Sequence, residues 1–344
     1  MKELKTVQEK QDWILNRINE FQKNCIDTEC YIKHISRVKT APGFLLTEPC
    51  NEGPPFIQEL PFSGYSEGQL LSSLGIPAGY LHKCSDQVQA ENVNHWTVRY
   101  PKKKILLRRH TDSIRGVVSP RYSRDLDDHQ VFPQILETIK ETVDDPENIH
   151  YRDFHKTENF TYLVALFKDL DSIHGVHRHF AGITIINSEV KRAALWIKPV
   201  IFGGTPAHTY NYLDSSHEGS TRFIHIGQIE EGAIKAAIVS AKDVAQVGIH
   251  RLLETKQEII TNPKEEIEVY MRNSETFGNK LAKVLKEEYK DNRETSKFNF
   301  AQSILHSVKD LPVFQKYQIE LDVGRYLNLF STTKARAKTI IQDS

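Results

Sequence analysis

Long apolar runs are missing from this sequence. No stretch approaches the roughly 18 consecutive apolar residues that a membrane-spanning helix needs. The first residues, 1–5, lead into a mixed-charge segment without the apolar block of a secretion signal. We therefore expect a protein without a membrane partner that stays in the cytoplasm, the compartment in which it is made.

Cysteine is scarce and confined to one part of the chain. The four cysteines, Cys25, Cys30, Cys50 and Cys84, all lie in the first quarter of the 344 residues. A chain of this size does not need disulfides, and the cytosol keeps such thiols reduced. The two nearest cysteines are spaced more widely than in a zinc knuckle, and no Cys/His pair follows at finger spacing. Ordinary thiols are therefore preferred over a structural zinc site.

Common catalytic motifs are also missing. Neither a phosphate loop closing in Gly-Lys-Ser/Thr nor a Gly-x-Ser-x-Gly nucleophile elbow occurs. The pair Gly203-Gly204 follows a predicted strand but lacks the three-glycine spacing of a dinucleotide-binding turn. No cofactor is predicted from these patterns, and the sequence favours a binding protein over an enzyme.

An excess of charge of one sign is absent from the chain as a whole. Lys plus Arg and Asp plus Glu each number 45, so the total charge predicts no partner. The hydrophobic share of 39% and the charged share of 26% are typical of a folded protein and exclude a largely disordered one. Only the local distribution of charge is informative.

Strand-like segments concentrate before residue 229 and helical segments after it. The predicted class is α+β, with a mostly antiparallel sheet in the N-terminal two-thirds and a helical C-terminal third. We divide the chain into an N-terminal helix (1–30), an α+β core with a basic hairpin (31–228) and a helical region packed on the core (229–344). Predicted strands cover 104–110, 114–119, 160–167, 182–187, 193–200 and 223–226.

Helix signals are readable at three places. Ser66 is expected to cap a short helix, and Asp127 or Asp128 to cap a later one. The N-terminal helix carries a narrow apolar seam with Gln11 at one of its positions, and the seam comprises Leu4, Val7, Ile14, Ile18 and Phe21. This spacing is compatible with a coiled coil that assembles oligomers, but three heptads also fit an amphipathic helix docked on its own domain.

The strongest local charge bias lies between Arg99 and Arg124. Nine cations stand here against one acid, Asp112, namely Arg99, Lys102, Lys103, Lys104, Arg108, Arg109, Arg115, Arg121 and Arg124. Trp96, Tyr100 and Tyr122 are interleaved. A hairpin of this kind could follow a phosphate backbone while Tyr100 and Tyr122 stack on unpaired bases, which favours single-stranded DNA. The alternative is solvated charge that protects a sheet edge, partly neutralised by the aspartates at 125, 127 and 128.

Histidines supply a second candidate site. His177 and His179 fall on the same side of an extended chain and could share a divalent metal, which His174 could join if the chain turns at Gly175. Further ligands are available at Asp169, Asp171, His208, His217 and His225. No His-Glu-x-x-His helix is present. Exposed loop histidines are the alternative to a metal-dependent hydrolase or nuclease.

Three segments carry a family resemblance. They are 62–81, with Leu74-Gly75-Ile76-Pro77, then 115–128, with Arg121-Tyr122 and an acidic turn, and 182–195, with Asn187-Ser188-Glu189. Together they resemble a phage/plasmid-like family known as a domain of unknown function, over about two-thirds of the chain. Such proteins often carry a Cys-Thr-Asn-Gly-like segment where this chain has residues 211–215, Asn-Tyr-Leu-Asp-Ser. The resemblance implies a bacterial or phage-infected host and DNA transactions, and supplies no catalytic residues.

The same motifs also have a structural interpretation. Asn187 and Ser188 can close a turn through their own backbone, and Arg121 with Tyr122 can anchor the hairpin to the next helix through Asp127 or Asp128. The leading prediction is a mobile-element protein in replication, recombination or host conflict. It would bind nucleic-acid phosphates without strong sequence specificity. The alternatives are the metal-dependent hydrolase and an oligomeric scaffold or inhibitor.

Overall fold

The computed structural model describes residues 6–38, 43–48, 56–168, 172–173, 178–205, 208–213, 219–274, 278–311 and 313–330. The first elements in chain order are α1 (Val7–Lys23), β1 (Cys25–Tyr31), β2 (Ile35–Arg37), β3 (Phe44–Glu48), β4 (Phe56–Leu60), α2 (Gly64–Leu74), α3 (Ala78–Leu81), α4 (Asp86–Arg99), β5 (Lys104–His110) and β6 (Ser113–Val118). The hairpin predicted from the basic stretch is therefore present as β5 and β6.

The second half of the chain begins with a helix and completes the largest sheet. Its elements are α5 (Asp128–Glu141), β7 (Ile149–Lys156), β8 (Thr161–Phe167), β9 (Ser172–Ile173), β10 (Arg178–Asn187), β11 (Leu195–Thr205), β12 (His208–Leu213), β13 (Thr221–Phe223), α6 (Ala233–Glu254), β14 (Ile259–Ile260), α7 (Pro263–Asn273), α8 (Asn279–Glu288), β15 (Thr295–Ser296), α9 (Lys297–Ser307) and α10 (Val313–Tyr326). Helices dominate after α6, as predicted.

The strands form separate antiparallel sheets. The largest has the order β12-β11-β10-β8-β7, with β13 beside β11 and β9 beside β10. Two three-stranded sheets have the orders β1-β5-β6 and β2-β3-β4, and β14 pairs with β15. The predicted α+β class is confirmed. Strands β1 to β4, β7 and β12 were not predicted; in β7 the alternation of apolar and polar residues is interrupted by the irregular pairing between Tyr151 and Phe154.

Strand β5 lacks that alternation because both of its faces are covered. Ile105 and Leu107 pack with Leu70 and Leu71 of α2. On the other face Leu106 packs with Val118 and Tyr122. A strand buried on both sides reads as a continuous apolar run, so the sequence gives no sign of which face each cation of β5 takes.

One face of the largest sheet is covered by helices α1, α5 and α6. Ile183 and Ile185 of β10 belong to the same buried cluster as Ile14 and Ile18 of α1. Gln11 is buried in the same seam and donates hydrogen bonds to the Leu136 carbonyl (3.0 Å) and the Tyr151 hydroxyl (2.7 Å). The seam is thus used within the chain, as the docked-helix interpretation expects, and Leu4 lies outside the described residues.

The helix caps differ in part from the prediction. Ser63, not Ser66, caps α2, and its side chain accepts a hydrogen bond from the Ser66 backbone amide. Ser66 instead lies inside the helix and donates to the Ile114 carbonyl (2.6 Å), so its predicted capping role is wrong. Asp127 does occupy the cap position of α5, but its side chain makes no capping bond.

In the part of the chain that the structure describes, no helix has the length and apolarity to cross a membrane.

Replacing Gly116 of β6 should destabilise the protein. A Cβ at this position would lie 2.5 Å from Cγ1 of Val190, a contact that requires the hairpin or the turn after β10 to move. We expect Gly116→Ala to lower the free energy of unfolding by ~1–3 kcal/mol in urea denaturation. Gly68→Ala is the control, since nothing lies within 4 Å of its Cβ and it is inside α2. That variant should be neutral or gain up to ~1 kcal/mol; equal losses in both would contradict the packing argument.

The carboxyl group of Glu320 should make stability depend on pH. It is buried where α10 packs on β12 and accepts a hydrogen bond from the Asn211 backbone amide (2.9 Å). Burial raises its pKa from 4.5 to about 7, against the opposing effects of this hydrogen bond and of Lys316. A raised folded-state pKa means that the stabilising contribution is complete below pH 4.5 and is lost as the pH rises through 7.

We therefore expect Glu320→Gln to increase the free energy of unfolding above neutral pH and to change it little in acid. At pH 8 the gain should be up to ~3 kcal/mol, because each pH unit between the two pKa values corresponds to ~1.4 kcal/mol. Urea denaturation of both proteins at pH 4.5 and pH 8 measures the difference. An equal effect at both pH values would contradict ionisation of Glu320 as the cause.

Candidate nucleic-acid interface

The predicted basic stretch divides into a buried and an exposed set. Arg108 and Arg115 are 1% and 2% exposed, and Tyr122 is also buried. Arg109 is half-buried, whereas the rest are exposed: Arg99, Tyr100, Lys102, Lys103, Lys104, Arg121 and Arg124. A buried guanidinium cannot reach a nucleic-acid phosphate, and a buried ring cannot stack on a base. Arg108, Arg115 and Tyr122 therefore do not belong to the predicted binding surface.

The exposed cations gather where α4 ends and β5 begins. Pro101 cannot continue a helix because it has no backbone N–H, so the chain turns after Arg99. The Lys103 amide donates to the Tyr100 carbonyl (3.0 Å) and closes this turn. Strand β1 runs beside β5 with Tyr31 opposite Lys104, which adds residues of the N-terminal region to the same surface.

We call this surface the cation–aromatic patch. It comprises Glu29, Tyr31, Lys33, Trp96, Arg99, Tyr100, Lys102, Lys103 and Lys104. The rings of Trp96 and Tyr100 stack with centroids 6.2 Å apart and an angle of 18° between planes. The Arg99 guanidinium lies 5.0 Å from the Trp96 centroid, and Lys103 Nζ lies 5.4 Å from that of Tyr100. Alternating cations and ring faces are therefore held side by side.

The patch has an excess of positive charge that is open to solvent. Its cations outnumber its one carboxylate, Glu29, which pairs with Lys104 at 2.9 Å. Lys104 Nζ and Lys33 Nζ each lie 5.5 Å from the centroid of Tyr31. Tyr31 and Tyr100 are 37% and 40% exposed, so ring surface remains available to a ligand. Exposed cations with adjacent ring faces can contact phosphates and stack on bases.

The other exposed arginines occupy different positions. Arg121 lies on the loop after β6, and the Arg124 Nε is 3.3 Å from an Asp27 carboxylate oxygen. Asp27 also contacts Arg108, at 3.2 Å. Arg124 therefore lies at the margin of the interior charges and not among the patch residues.

The buried arginines belong to what we call the buried ion network: Arg108, Arg115, Asp127, Asp128, Lys156 and Glu189. Arg108 binds Asp127 through two parallel hydrogen bonds of 2.7 and 2.5 Å, and it also donates to the Glu189 carbonyl (2.5 Å). The structural interpretation gives this link to the start of α5 to Arg121 with Tyr122. Arg108 makes it instead, through its two hydrogen bonds to Asp127.

Glu189 is the centre of the network. Its carboxylate lies 2.8 Å from Arg115 and 3.4 Å from Lys156, and accepts a hydrogen bond from the Asp128 amide (2.9 Å). Lys156 also contacts the Asp128 carboxylate at 2.5 Å. The ring of Phe21 covers both cations, 4.4 Å from Lys156 and 5.5 Å from Arg115. Three cations and three carboxylates thus compensate one another away from water.

A shell of neutral polar groups completes the network. Asn187 donates to Asp128 (2.8 Å) and to the Leu126 carbonyl (2.6 Å), and its oxygen lies 2.9 Å from His225 Nε2. Tyr122 stacks on His225 at 4.4 Å and donates to the Ser188 carbonyl (2.7 Å). Burial lowers the pKa of His225 to about 4. Its imidazole is therefore neutral at physiological pH.

All three segments that carry the family resemblance meet here. Gln69, from the first, donates to the Val190 carbonyl (2.7 Å) of the third and accepts from the Val117 amide (2.9 Å) of the second. Ser188 closes the predicted turn, since its hydroxyl oxygen accepts from the amides of Val190 (3.3 Å) and Arg192 (2.9 Å). Asn187 and Glu189, in contrast, bind remote side chains.

The electrostatics of the network show how it is balanced. Burial raises the pKa of Asp127 to about 6, and Arg108 opposes this only in part. Burial also acts to raise the pKa of Glu189, but the charges of Lys156 and Arg115 outweigh it and lower that pKa to about 2. The charges of the network largely compensate one another, which makes it a structural connection between the hairpin, helix α5 and the largest sheet.

The predicted histidine site is only partly described. His179 is buried, with the rings of Tyr212 and Phe298 at 6.0 and 5.5 Å. His225 belongs to the shell of the buried ion network instead. Among the described residues no three His, Cys, Asp or Glu side chains are placed to hold a metal ion. His174, His177, Asp169, Asp171 and His217 lie outside the described residues, so a metal site involving them stays a prediction.

Sequence reasoning missed several members of both sites. Tyr31 and Lys33 were overlooked because β1 was not predicted, and Lys156 because its partners Asp128 and Glu189 lie 28 and 33 residues away in the chain. No family model, no curated protein and no solved structure matches this chain. The resemblance to the phage/plasmid-like family therefore stays a prediction.

Removing the charge of Glu189 should destabilise the protein strongly. In Glu189→Gln the side chain keeps its shape, but Arg115 and Lys156 lose the carboxylate that compensates them. We expect the free energy of unfolding to fall by ~3–5 kcal/mol at neutral pH. Glu141→Gln, at the exposed pair with Lys235, should cost less than ~1 kcal/mol.

The effect of Glu189→Gln should also depend on pH. Since the folded-state pKa of Glu189 is lowered to about 2, its contribution is complete above pH 4.5 and is lost as the pH falls toward 2. Urea denaturation at pH 7 and pH 3 should therefore show a smaller difference between variant and parent in acid. A constant difference would indicate that shape and not charge matters here.

Proposed function

We propose that this protein binds single-stranded nucleic acid through the cation–aromatic patch, in the service of a phage or plasmid. The observation that supports binding is the exposed arrangement of Arg99, Lys102 and Lys103 beside the stacked rings of Trp96 and Tyr100. The mobile-element context is supported by the resemblance of three sequence segments. Contact with phosphates gives affinity without sequence readout.

Single strands are favoured over duplexes because of the rings. A base can lie on an exposed aromatic face only when it is not stacked in a duplex, and each such contact is worth ~1–3 kcal/mol. The exposed fractions of Tyr31 and Tyr100 leave room for this contact. The patch residues Lys33, Arg99, Lys102, Lys103 and Lys104 supply five cations, so the salt dependence should correspond to ~3–4 released counterions on a single strand.

The test removes the three cations whose loss disturbs the fold least. Lys33, Arg99 and Lys102 are exposed, whereas Lys103 donates to the Ser73 carbonyl and Lys104 pairs with Glu29. In the variant Lys33→Ala, Arg99→Ala, Lys102→Ala we expect single-stranded DNA affinity to fall at least ~10-fold at low salt. The slope of log affinity against log salt should fall by ~2. Fluorescence anisotropy at several salt concentrations measures both.

The matched control removes three exposed lysines of α8 and the turn after it, Lys283, Lys286 and Lys290, and so changes the net charge equally. The control should keep the parental slope of log affinity against log salt. An equal loss of affinity in both variants would show non-specific attraction and contradict binding at the cation–aromatic patch.

Tyr100→Leu should weaken binding to single strands without changing the salt slope, and Tyr100→Phe should retain the affinity. Parent protein that fails to bind any strand at low salt would overturn the proposed function.

A further inference from the structure

A hollow opens on the face of the largest sheet opposite to α1 and α5. It has a volume of about 570 Å³, within the ~300–1,000 Å³ range of small-molecule sites. We call it the sheet hollow; the lining residues that matter here are His150, Arg152, Asp153, Lys168, Phe180 and Phe202. None of these residues belongs to the cation–aromatic patch, and the inference does not rest on the proposed function.

The floor of the hollow is aromatic. Phe180 of β10 and Phe202 of β11 are direct cross-strand partners, and both are only half-buried. The Arg152 guanidinium carbon lies 3.7 Å from the Phe202 ring centroid, so the guanidinium covers part of that ring. The exposed part of the two rings offers a flat surface to a second flat group.

Arg152 is held in place by the shape of the sheet. The pairing of β7 with β8 is irregular between Tyr151 and Phe154, which releases Arg152 from the regular alternation of the strand. Its Nη2 donates to the Thr209 hydroxyl (2.5 Å) on β12, at the opposite edge of the five-strand order. A bond between the two edges requires a curved sheet with its concave side over Phe202.

The hollow has an excess of positive charge. Lys10 Nζ lies 3.2 Å from His150 Nδ1, and Arg152 and Lys168 flank the same imidazole. Burial, followed by the charges of Lys10, Lys168 and Arg152, lowers the pKa of His150 to about 4, while Asp153 opposes this. Asp153 is compensated by Arg152, whose Nε lies 3.2 Å from its carboxylate. Among the lining residues, Lys168 therefore remains as charge for an anion.

We propose that the sheet hollow binds a small anion that carries a flat aromatic ring, the chemistry of a nucleoside monophosphate. The ring would lie over Phe180 and Phe202, and the anionic group would accept hydrogen bonds from Lys168 and Arg152. A simple anion leaves the aromatic floor unused, and an uncharged ring makes no use of the cations. A ligand with both parts therefore fits the lining better than either part alone.

The test is calorimetric titration of the full chain with AMP, adenosine and inorganic phosphate. AMP should bind at least ~10-fold more tightly than either fragment, since charge-assisted hydrogen bonds and ring contact both contribute. Lys168→Ala should weaken AMP binding ~10-fold or more; Lys168 is exposed, so its loss should leave the fold intact. Arg152→Gln should act in the same direction, with a thermal scan to verify folding.

Lys256→Ala is the matched control, because Lys256 also lies over a phenylalanine ring, 5.0 Å from that of Phe298, outside the hollow. It should keep the parental AMP affinity. Equal affinities for AMP and adenosine, or an unchanged affinity in Lys168→Ala, would overturn the proposal, as would the absence of AMP binding at millimolar concentration.

A second measurement reports on the site directly. A bound phosphate next to His150 should raise the pKa of its imidazole by about one pH unit or more, followed by NMR of the histidine ring protons. Adenosine should leave the titration of His150 unchanged. A pKa of His150 that does not change with AMP would contradict a phosphate bound at this position.

Lys168→Ala should bind single-stranded DNA like the parent, and the triple patch variant should bind AMP like the parent. Failure of one proposal is thereby separable from failure of the other.

Discussion

The carboxylate of Glu189, held between Arg115 and Lys156, is the interaction on which the rest of the structure depends. It joins strand β6, strand β7 and the turn after β10, and its second oxygen fixes the first amide of α5. A buried pair of this kind contributes little net stability compared with apolar packing, yet removing one partner is costly because the remaining charge cannot be hydrated. The network therefore connects the hairpin, helix α5 and the large sheet through contacts that are costly to break.

This constraint also determines which cations are left for function. The nine cations of the predicted basic stretch are close in sequence, but Arg108 and Arg115 face inward on β5 and β6, where Asp127 and Glu189 compensate them. The cations that remain together on the surface are those at the turn between α4 and β5, where Pro101 ends the helix and the side chains are exposed. Buried structural cations and exposed cations are thus divided between the hairpin strands and the turn that precedes them.

The two proposed binding surfaces use the same chemistry in different shapes. At the cation–aromatic patch, exposed rings and lysines lie on a turn that is open to solvent, which suits a long flexible strand. In the sheet hollow, Phe180 and Phe202 lie at the bottom of a concave surface with Arg152 above them, which suits one small molecule. The curvature of the large sheet, and not its composition, makes this difference.

The sequence by itself determined the α+β class, the β5–β6 hairpin, strands β8, β10 and β11, and the helical character after residue 229, because these depend on local periodicity and turn residues. It also showed the excess of cations between Arg99 and Arg124. Only the tertiary structure decided that Arg108 and Arg115 are interior, that Tyr31 and Lys33 join the patch, and that Lys10, Arg152 and Lys168 surround His150. Those outcomes depend on pairing between residues far apart in the chain and on a strand buried on both faces, for which no local pattern exists.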